Sequence, residues 1–413
     1  MVRADLEVRA ATEEEWPAFV RTTNTGFGSL PGDDDVTPER RSYEIERSVA
    51  AIADGQIVGT AGAFTFDMTL PGLTTAPTAG VTWVSVLPTH RRRGVLTSMM
   101  RHQLDDIRDR GEPLAILLAS ESIIYGRFGY GLATVQAEYE LPRAHRHLAR
   151  PHEPAGRVLL IDENEAKKQI PQIFEKVRRL QPADVSRPEG WWAMFFRGSK
   201  PSGNAGARFY VVYEGATGEV EGYAYYRVGN ASQGFGTSAS MVQGLGATTL
   251  DAYLSLWTYV TDIDLTDRTT TTSRPVEEPL RHLLADPRRL KATSVSDFLW
   301  CRIVDLPAAL AARRYPIEAR FTIEVVDDFC PWNSGRWIVD GGPDGATCER
   351  DAGGGAAADL QLSARDLGAV YLGGTRLAVL AQAGRVAGRD ADVIRRGDAF
   401  FASDVTPYCQ TFF

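Results

Sequence analysis

The chain has 413 residues, more than one hydrophobic core usually supports, so we expect two or three domains. Hydrophobic residues make up 44% and charged residues 24%, which is typical of a globular protein. The 45 basic and 53 acidic side chains give a net charge of -8, which argues against a general nucleic-acid-binding protein.

Signals for export, membrane insertion and metal binding are lacking in the sequence. The N-terminal residues MVRADLEVRA contain no apolar signal-peptide core, and no run approaches about 18 uncharged apolar residues. We therefore predict a cytoplasmic protein without a membrane partner. Neither the histidines nor the cysteines show metal-ligand spacing, so we expect no metal ion and free thiols at Cys301, Cys330, Cys348 and Cys409.

The first 150 residues alternate between strand and helix patterns. LEVRA reads as a strand, TEEEWPAFVRTTNTGF as a helix, and SVAAIADGQIVGTAGAFTFDMTL as a hairpin turned at Asp54 and Gly55. A loop, PGLTTAPTAG, leads to a strand from Val81 to Val86 and then to the basic segment HRRRGVL. Apolar residues at helical spacing predict a helix from about Leu96 to Arg110, followed by the strand PLAILLAS and the aromatic turn IYGRFGYG.

A second copy of this plan follows in the chain. The hairpin ARFYVVYEGATGEVEGYAYYRV carries Gly222 where the first hairpin carries Gly59, and SMVQGLGATTLDAYLSLWTYVTDIDL again reads strand, loop, helix, strand. This copy lacks the arginines of the basic loop. We therefore predict two domains of similar plan.

The character of the sequence changes beyond Trp300. RIVDLPAALAARRY reads as a short helical segment, and FTIEVVDDF and GRWIVDG read as antiparallel strands. A Gly/Ala-rich stretch from Gly353 to Ala358 precedes ADLQLSARDLGAVYLGG. The last third is predicted to be a separate, smaller α+β unit.

The segment R-R-R-G-V-L, from Arg91 to Leu96, joins a strand to a helix. A glycine at a helix start offers free backbone N–H groups and the positive helix end to a pyrophosphate, and arginines add charge. An Arg-rich turn before a helix is also often a solvated loop, and spacing alone leaves both readings open.

This segment resembles the acetyl-CoA loop [Q/R]-x-x-G-x-[G/A] of the GNAT superfamily, although Leu96 replaces its final small residue. THRRRGVLTSMM, SESIIYGRFGYGLAT, LWCRIVDLPAALAARRY and an aromatic C-terminal residue are, in this order, similar to the Eis (enhanced intracellular survival) acetyltransferases. The resemblance covers nearly the whole chain. It implies an α+β protein with two tandem GNAT-like domains, each a mixed sheet flanked by helices, and a sterol-carrier-protein-like domain, assembled as a homohexamer. The motifs place these domains at 1–150, 151–300 and 301–413.

The resemblance also implies one acetyl-CoA site per chain, in the first domain. The residues expected to bind acetyl-CoA come from a strand, the basic loop and the end of the next strand: Val84, Ser85, Val86, Arg91, Arg92, Arg93, Gly94, Val95, Leu96, Ser120 and Glu121. For the two valines, burial in the sheet is an equally valid reading.

Two catalytic roles are carried over from the family. Tyr125 matches the general acid that protonates the departing thiolate, although from the motif alone Tyr130 is an equal candidate and packing is the commoner role. The carboxylate of Phe413 matches the general base, with a terminus that only packs as the alternative and with Glu121 and His90 as other bases.

The expected reaction moves acetyl from acetyl-CoA to a primary amine, such as an aminoglycoside, a polyamine or a lysine side chain, by direct attack in a ternary complex. Asp33, Asp34 and Asp35 could attract a cationic amine, although a solvated loop is the commoner reading. Trp191 and Trp192 are expected in the core of the second domain. The alternative function is a non-catalytic module that binds acyl-CoA or lipid.

Overall fold

The computed structural model describes residues 6–29, 43–198, 205–230, 238–353 and 357–413. Its N-terminal part contains β1 (Glu7–Arg9), α1 (Trp16–Gly26), β2 (Val49–Ala53), β3 (Gln56–Thr69), β4 (Thr75–Val86), α2 (Val95–Asp109), β5 (Leu114–Leu118), α3 (Ser122–Tyr125), β6 (Gly131–Leu132) and β7 (Val135–Pro142). The middle part contains β8 (Arg157–Ile161), α4 (Glu163–Arg178), α5 (Glu189–Arg197), β9 (Ala205–Glu214), β10 (Val220–Asn230), β11 (Ser238–Ala247), α6 (Leu250–Thr261), β12 (Thr266–Thr271), α7 (Leu280–Leu283) and β13 (Lys291–Asp297). The last part contains β14 (Leu299–Ile303), α8 (Leu306–Ala312), β15 (Ala319–Val326), β16 (Gly335–Gly342), β17 (Gly345–Arg350), β18 (Leu360–Ser363), α9 (Ala364–Val370), α10 (Leu377–Gln382), β19 (Ala387–Gly388) and α11 (Ala391–Phe400).

The first sheet has the strand order β1-β2-β3-β4-β5-β14-β6, with β4 and β5 parallel and the other neighbours antiparallel. The predicted hairpin is confirmed, and its turn residues Asp54 and Gly55 have φ of 51° and 73°. The predicted helix is also confirmed as α2. The predicted loop PGLTTAPTAG is wrong in part, because β4 already begins at Thr75. Pairing with β3 and β5 on both sides outweighs the Pro/Gly composition there.

The second sheet repeats this plan, with the order β13-β7-β12-β11-β10-β9-β8 and β11 parallel to β12. Gly59 pairs with the last residue of β4, and Gly222 pairs with the last residue of β11. A Cβ at Gly59 would lie 2.9 Å from Val95 of α2, and one at Gly222 would lie 2.8 Å from Leu256 of α6. Both glycines therefore let the following helix pack closely, and the prediction of two similar units is confirmed.

The two sheets exchange strands. β7 leaves the first unit and pairs with β12 and β13 in the second sheet. In return, β14 inserts between β5 and β6, with Leu299 opposite Leu118 and Trp300 opposite Leu132. Domain boundaries near 150 and 300 stay a prediction. Because of β7 and β14, each sheet contains a strand from beyond these boundaries.

The third unit has a five-stranded sheet in the order β17-β16-β15-β18-β19, and the two predicted strands are confirmed as the antiparallel pair β15 and β16. The segment RIVDLPAALAARRY is helical only from Leu306, because its first residues belong to β14. Arg302 of β14 forms a buried ion pair with Asp327 at 2.6 Å, which joins the first sheet to the third unit. Of the Gly/Ala-rich stretch, residues 354–356 lie outside the described residues.

Each face of the first sheet is covered by a different layer. One face packs against α2 through Val95, Met99, Met100, Leu104 and Ile107, together with Ala115 and Leu117 of β5. The other face carries Phe64, Phe66, Leu114, Ile116 and Cys301, whose side chains are continuous with the core of the third unit. Alternation along the strands produces this division.

Candidate active site

The first sheet opens between β4 and β5. Their parallel pairing runs from Thr78 opposite Leu114 to Val81 opposite Leu117 and stops there, although β4 continues to Val86. Trp83 has φ of 55°, and the register of β3 and β4 shifts at this point, which marks a bulge. Backbone groups of the last β4 residues thus face a gap in the sheet, where they lack strand partners and are available to a ligand.

The residues predicted for this stretch of β4 line the gap. Val84 and Val86 are half-buried against the α2 side, which confirms that they pack in the sheet, while acetyl-CoA binding by them stays a prediction. Ser85 is 6% exposed, and its Oγ has no hydrogen-bond partner among the described residues. Gly26 at the end of α1 lies so near that a Cβ there would be 1.7 Å from this oxygen.

The basic loop connects β4 to α2 and divides its arginines between two tasks. Arg91 donates through Nε to the carbonyl of Val86 at 3.2 Å and through Nη2 to the carbonyl of Gly26 at 2.9 Å. Arg92 and Arg93 are exposed and form no hydrogen bond or ion pair with the part of the chain that the structure describes. Arg91 therefore braces the loop, whereas the next two arginines present free charge.

The N-terminus of α2 is open. Gly94 precedes its first residue with φ of 88°, gives no side-chain cap, and has no atom within 4 Å of the position of a Cβ. Val95 is buried and Leu96 half-buried, so these two anchor the helix in the core. The first N–H groups of a helix have no intrahelical acceptor, and they carry the positive end of its dipole. This end of α2 has the geometry that suits an anion.

Ser120 and Glu121 follow the end of β5, on the other side of the gap, and both are exposed. Glu121 precedes α3, and Tyr125 ends it. Tyr125 is 5% exposed, and burial, with the charge of Glu121 as a smaller cause, raises its pKa to about 12. Its ring meets that of Tyr130 edge to face, with ring centroids 6.0 Å apart.

The two tyrosines differ in access. Tyr130 is 0% exposed, its hydroxyl has no partner among the described residues, and burial raises its pKa. A proton donor must reach the reacting group, so the geometry favours Tyr125 over Tyr130.

Phe413 lies on the opposite face of the first sheet. Its ring packs edge to face on Phe66 of β3, with centroids 5.1 Å apart, while the preceding Phe412 is 72% exposed. In the described ranges, no cation forms an ion pair with the terminal carboxylate. The structure therefore brings Val84, Val86, the basic loop and Tyr125 together on the α2 side. Ser85 Oγ faces Gly26 of α1 instead, and Phe413 lies across the sheet from α2.

Comparisons with known proteins agree with this geometry. Models of the acetyltransferase (GNAT) domain match residues 7–133 and 184–303, and a model of the sterol carrier protein domain matches residues 306–410. An uncharacterized N-acetyltransferase of Streptomyces coelicolor is 39% identical over 98% of both chains. The N-acetyltransferase Eis of Mycobacterium tuberculosis is 34% identical over 95% of this chain and 96% of that protein. The crystal structure of Eis1 from Mycobacterium abscessus has a TM-score of 0.88 at 32% identity, covering 98% of this chain and all of that one.

The chain belongs to the Eis family of GNAT N-acetyltransferases. It is an acetyltransferase, and its predicted order of two GNAT domains and a sterol-carrier-like domain is confirmed. Acetyltransferases of the GNAT superfamily generally use acetyl-CoA.

The second GNAT domain of this Eis-family chain lacks the basic loop and the open helix end of the first. β11 and α6 are joined by Thr248 and Thr249 alone, and Thr249 caps the helix by accepting from the Ala252 N–H at 3.2 Å. Thr249 also donates to the Glu221 carboxylate at 2.9 Å. The helix end is thus occupied by groups of the protein itself.

An aromatic row was missed by sequence reasoning. It runs along the Phe413 face of the first sheet, with ring centroids 4.5 to 6.0 Å apart, through Trp83, Tyr43, Phe64, Phe66 and Phe413. The sequence signal was the i, i+2 spacing of Phe64 and Phe66 in β3, which places both on one face. The row connects the bulge in β4 with the C-terminus.

The remaining candidates are placed as follows. His90 is half-buried and its Nδ1 lies 2.9 Å from Thr89 Oγ1, at the start of the basic loop. Trp191 and Trp192 belong to the core of the second unit. Asp33, Asp34 and Asp35 lie outside the described residues.

Cys301, Cys330, Cys348 and Cys409 are free thiols, as predicted. Within the described ranges, no helix combines the length and apolar character needed to cross a bilayer. The same ranges contain no cluster of three or more His, Cys, Asp or Glu side chains suited to a metal ion.

Proposed function

We propose that this chain moves an acetyl group from acetyl-CoA to a primary amine by direct attack in a ternary complex. The observation that carries the proposal is the gap between β4 and β5, which has an uncapped helix N-terminus at one end and Tyr125 packed beside it. No cysteine follows β4 in the basic loop or in α2, so an acetyl-enzyme is not part of the scheme.

Acetyl-CoA supplies the acetyl group as a thioester. Val84, Ser85 and Val86 would hold its pantetheine arm through their backbone groups. Ser120 and Glu121 would face it from the end of β5. The pyrophosphate would be held by the loop and the start of α2, through Arg92, Arg93, Gly94 and the N–H groups of Val95 and Leu96, with Arg91 fixing the loop.

The protons move between this chain's own groups and the reactants. As the amine nitrogen bonds to the acetyl carbon and the C–S bond breaks, the sulfur takes a proton from Tyr125 Oη. The nitrogen gives a proton to the carboxylate of Phe413, directly or through water. Because these two residues pack on opposite faces, the gap in the sheet is the place where both could reach one acceptor.

The proposed acceptors are polyamine-like molecules, aminoglycosides or lysine side chains, and copies of the chain are proposed to form a homohexamer. Support for both comes from the resemblance to the Eis family. Light scattering checks the assembly, since a hexamer has six times the 45.2 kDa mass of one chain. A monomeric mass would overturn it.

The transfer is tested by CoA release with an aminoglycoside, a polyamine and a lysine peptide, using protein with a free C-terminus. Deletion of Phe413 should lower kcat about 10²- to 10⁴-fold, the usual effect of losing a general base, while acetyl-CoA affinity stays unchanged. If activity survives the deletion, the general base would be His90 or Glu121 instead of Phe413. Binding of acetyl-CoA with no release on any of the three amines would overturn the acceptor class and favour the binding-module alternative.

A further inference from the structure

The C-terminal segment Tyr408–Phe413 is bound along the second GNAT domain. Tyr408 donates through its hydroxyl to the Ser273 carbonyl just after β12, at 2.7 Å, and Tyr223 of β10 donates to Gln410 Oε1 at 3.2 Å. The Cys409 and Thr411 side chains are fully buried. The segment therefore packs in the second unit, although it follows the third unit in the sequence.

Arg187 and Trp191 of the second unit bind the three residues before Phe413. Arg187 donates through Nε to Thr411 Oγ1 at 2.9 Å and through Nη2 to the Gln410 carbonyl at 3.1 Å. Trp191 Nε1 donates to the Phe412 carbonyl at 2.9 Å. The Arg187 guanidinium lies 3.8 Å from the centroid of Phe174, and its residue is 7% exposed, so its position is fixed by packing.

Residues 184–187, which include Arg187, also contact the first unit. The Thr69 N–H of β3 donates to the Asp184 carbonyl at 2.9 Å, and the Ser186 N–H donates to the Asp67 carbonyl at 2.9 Å. On its other side, the Asp184 carboxylate accepts from the Gln410 N–H at 3.2 Å. Residues 184–187 thus join β3 of the first sheet to the terminal segment.

We propose that the second GNAT domain is the receptor for the chain's own C-terminal segment. In this role Arg187 and Trp191 are positioning residues that hold the Phe413 carboxylate beside the first sheet. The catalytic part of this inference rests on the function proposed above, whereas the binding part rests on the contacts alone. The second GNAT domain, which lacks a cofactor loop, would thus serve to bind the C-terminal segment.

The test uses the full chain with Trp191→Phe, Arg187→Met and Arg187→Lys. Trp192→Phe is the matched control, since Trp192 lies on the same helix, is similarly buried, and makes no hydrogen bond to the terminal segment. Each variant is measured for kcat, for acetyl-CoA affinity, and for the rate at which a carboxypeptidase releases phenylalanine.

Loss of one or two hydrogen bonds that set a geometry should lower kcat roughly five- to tenfold in Trp191→Phe and more in Arg187→Met, with acetyl-CoA affinity within about twofold. Arg187→Lys should recover part of kcat, and phenylalanine should be released faster in Trp191→Phe than in the control. If the two residues had only a structural role, their variants would lower the melting temperature and weaken acetyl-CoA binding together with kcat.

Two outcomes separate the inference from the proposed function. If deletion of Phe413 abolishes turnover but Trp191→Phe matches Trp192→Phe in kcat and in phenylalanine release, the positioning role is overturned. If deletion of Phe413 leaves turnover intact, the general base is wrong, and faster phenylalanine release in Trp191→Phe still supports the receptor.

Discussion

The two GNAT domains share a plan and differ at one place, the end of the central parallel strand pair. In the first, β4 and β5 separate after Val81, and an open loop leads to the uncapped start of α2. In the second, pairing of β11 and β12 ends at Val242 in the same way, but Arg274 donates to the Leu245 carbonyl beyond it at 2.7 Å. Arg274 is paired in turn with the buried Glu278 at 2.6 Å.

This difference shows that the strand separation is a property of the fold and the cofactor site is not. The first unit leaves its backbone groups and its helix end for a ligand. The second satisfies the Leu245 carbonyl with Arg274 and the helix end with Thr249, and Tyr408 lies nearby. We therefore infer one acetyl-CoA site per chain.

The largest effect is expected at Tyr125 in the first unit. Tyr125→Phe should lower kcat about 10²- to 10⁴-fold with unchanged acetyl-CoA affinity, because the thiolate loses its proton donor. Burial raises the pKa of Tyr125 to about 12, so the hydroxyl stays protonated and kcat should show no loss from its ionisation between about pH 7 and pH 10. Tyr130→Phe is the comparison and should leave kcat nearly unchanged. A large loss of kcat in Tyr130→Phe and none in Tyr125→Phe would make Tyr130 the general acid.

Arg274 tests the second unit. Arg274→Met leaves the Glu278 carboxylate buried without its cation, which should lower the free energy of unfolding by about 3–5 kcal/mol in urea titrations. The double variant Arg274→Met, Glu278→Leu should regain much of this loss. Neither variant should bind a second acetyl-CoA, since α6 lacks a loop and keeps its own cap. A second bound cofactor would show that Arg274 alone blocks the site.

Gly94 gives a smaller effect that separates binding from folding. Gly94→Ala and Gly111→Ala each force a side chain onto positive φ, 88° and 73°, at the two ends of α2, and each should cost about 1–2 kcal/mol of stability. Gly94→Ala alone should weaken acetyl-CoA binding, roughly tenfold, as measured by calorimetry. Equal acetyl-CoA affinities in the two variants would show that the start of α2 does not contact the cofactor.

Local patterns in the sequence were sufficient for much of the fold. Asp54-Gly55 specified a hairpin turn, the spacing of Met100 and Leu104 specified α2, and Gly59 and Gly222 marked equivalent strands because both sit under a helix. The exchange of β7 and β14 could not be predicted in this way, since strand order depends on pairing across long stretches of chain. The start of β4 was missed for the same reason.

For the candidate site, the loop from Arg91 to Leu96 was visible as a motif because its residues are contiguous. The division of labour between Arg91 and its neighbours was not, since it depends on where the Gly26 carbonyl lies. Tyr125 and Tyr130 were equal in sequence and became distinct only through exposure. The contacts of Arg187 and Trp191 with the terminus join residues more than 200 positions apart, which no local pattern reveals.

The inference of one site per chain is tested most directly by calorimetric titration of the intact protein with acetyl-CoA. One molecule bound per chain is expected, with the affinity reduced in Gly94→Ala and unchanged in Arg274→Met, Glu278→Leu. Two molecules per chain, or one whose affinity responds to the Arg274 variant and not to Gly94→Ala, would contradict the account.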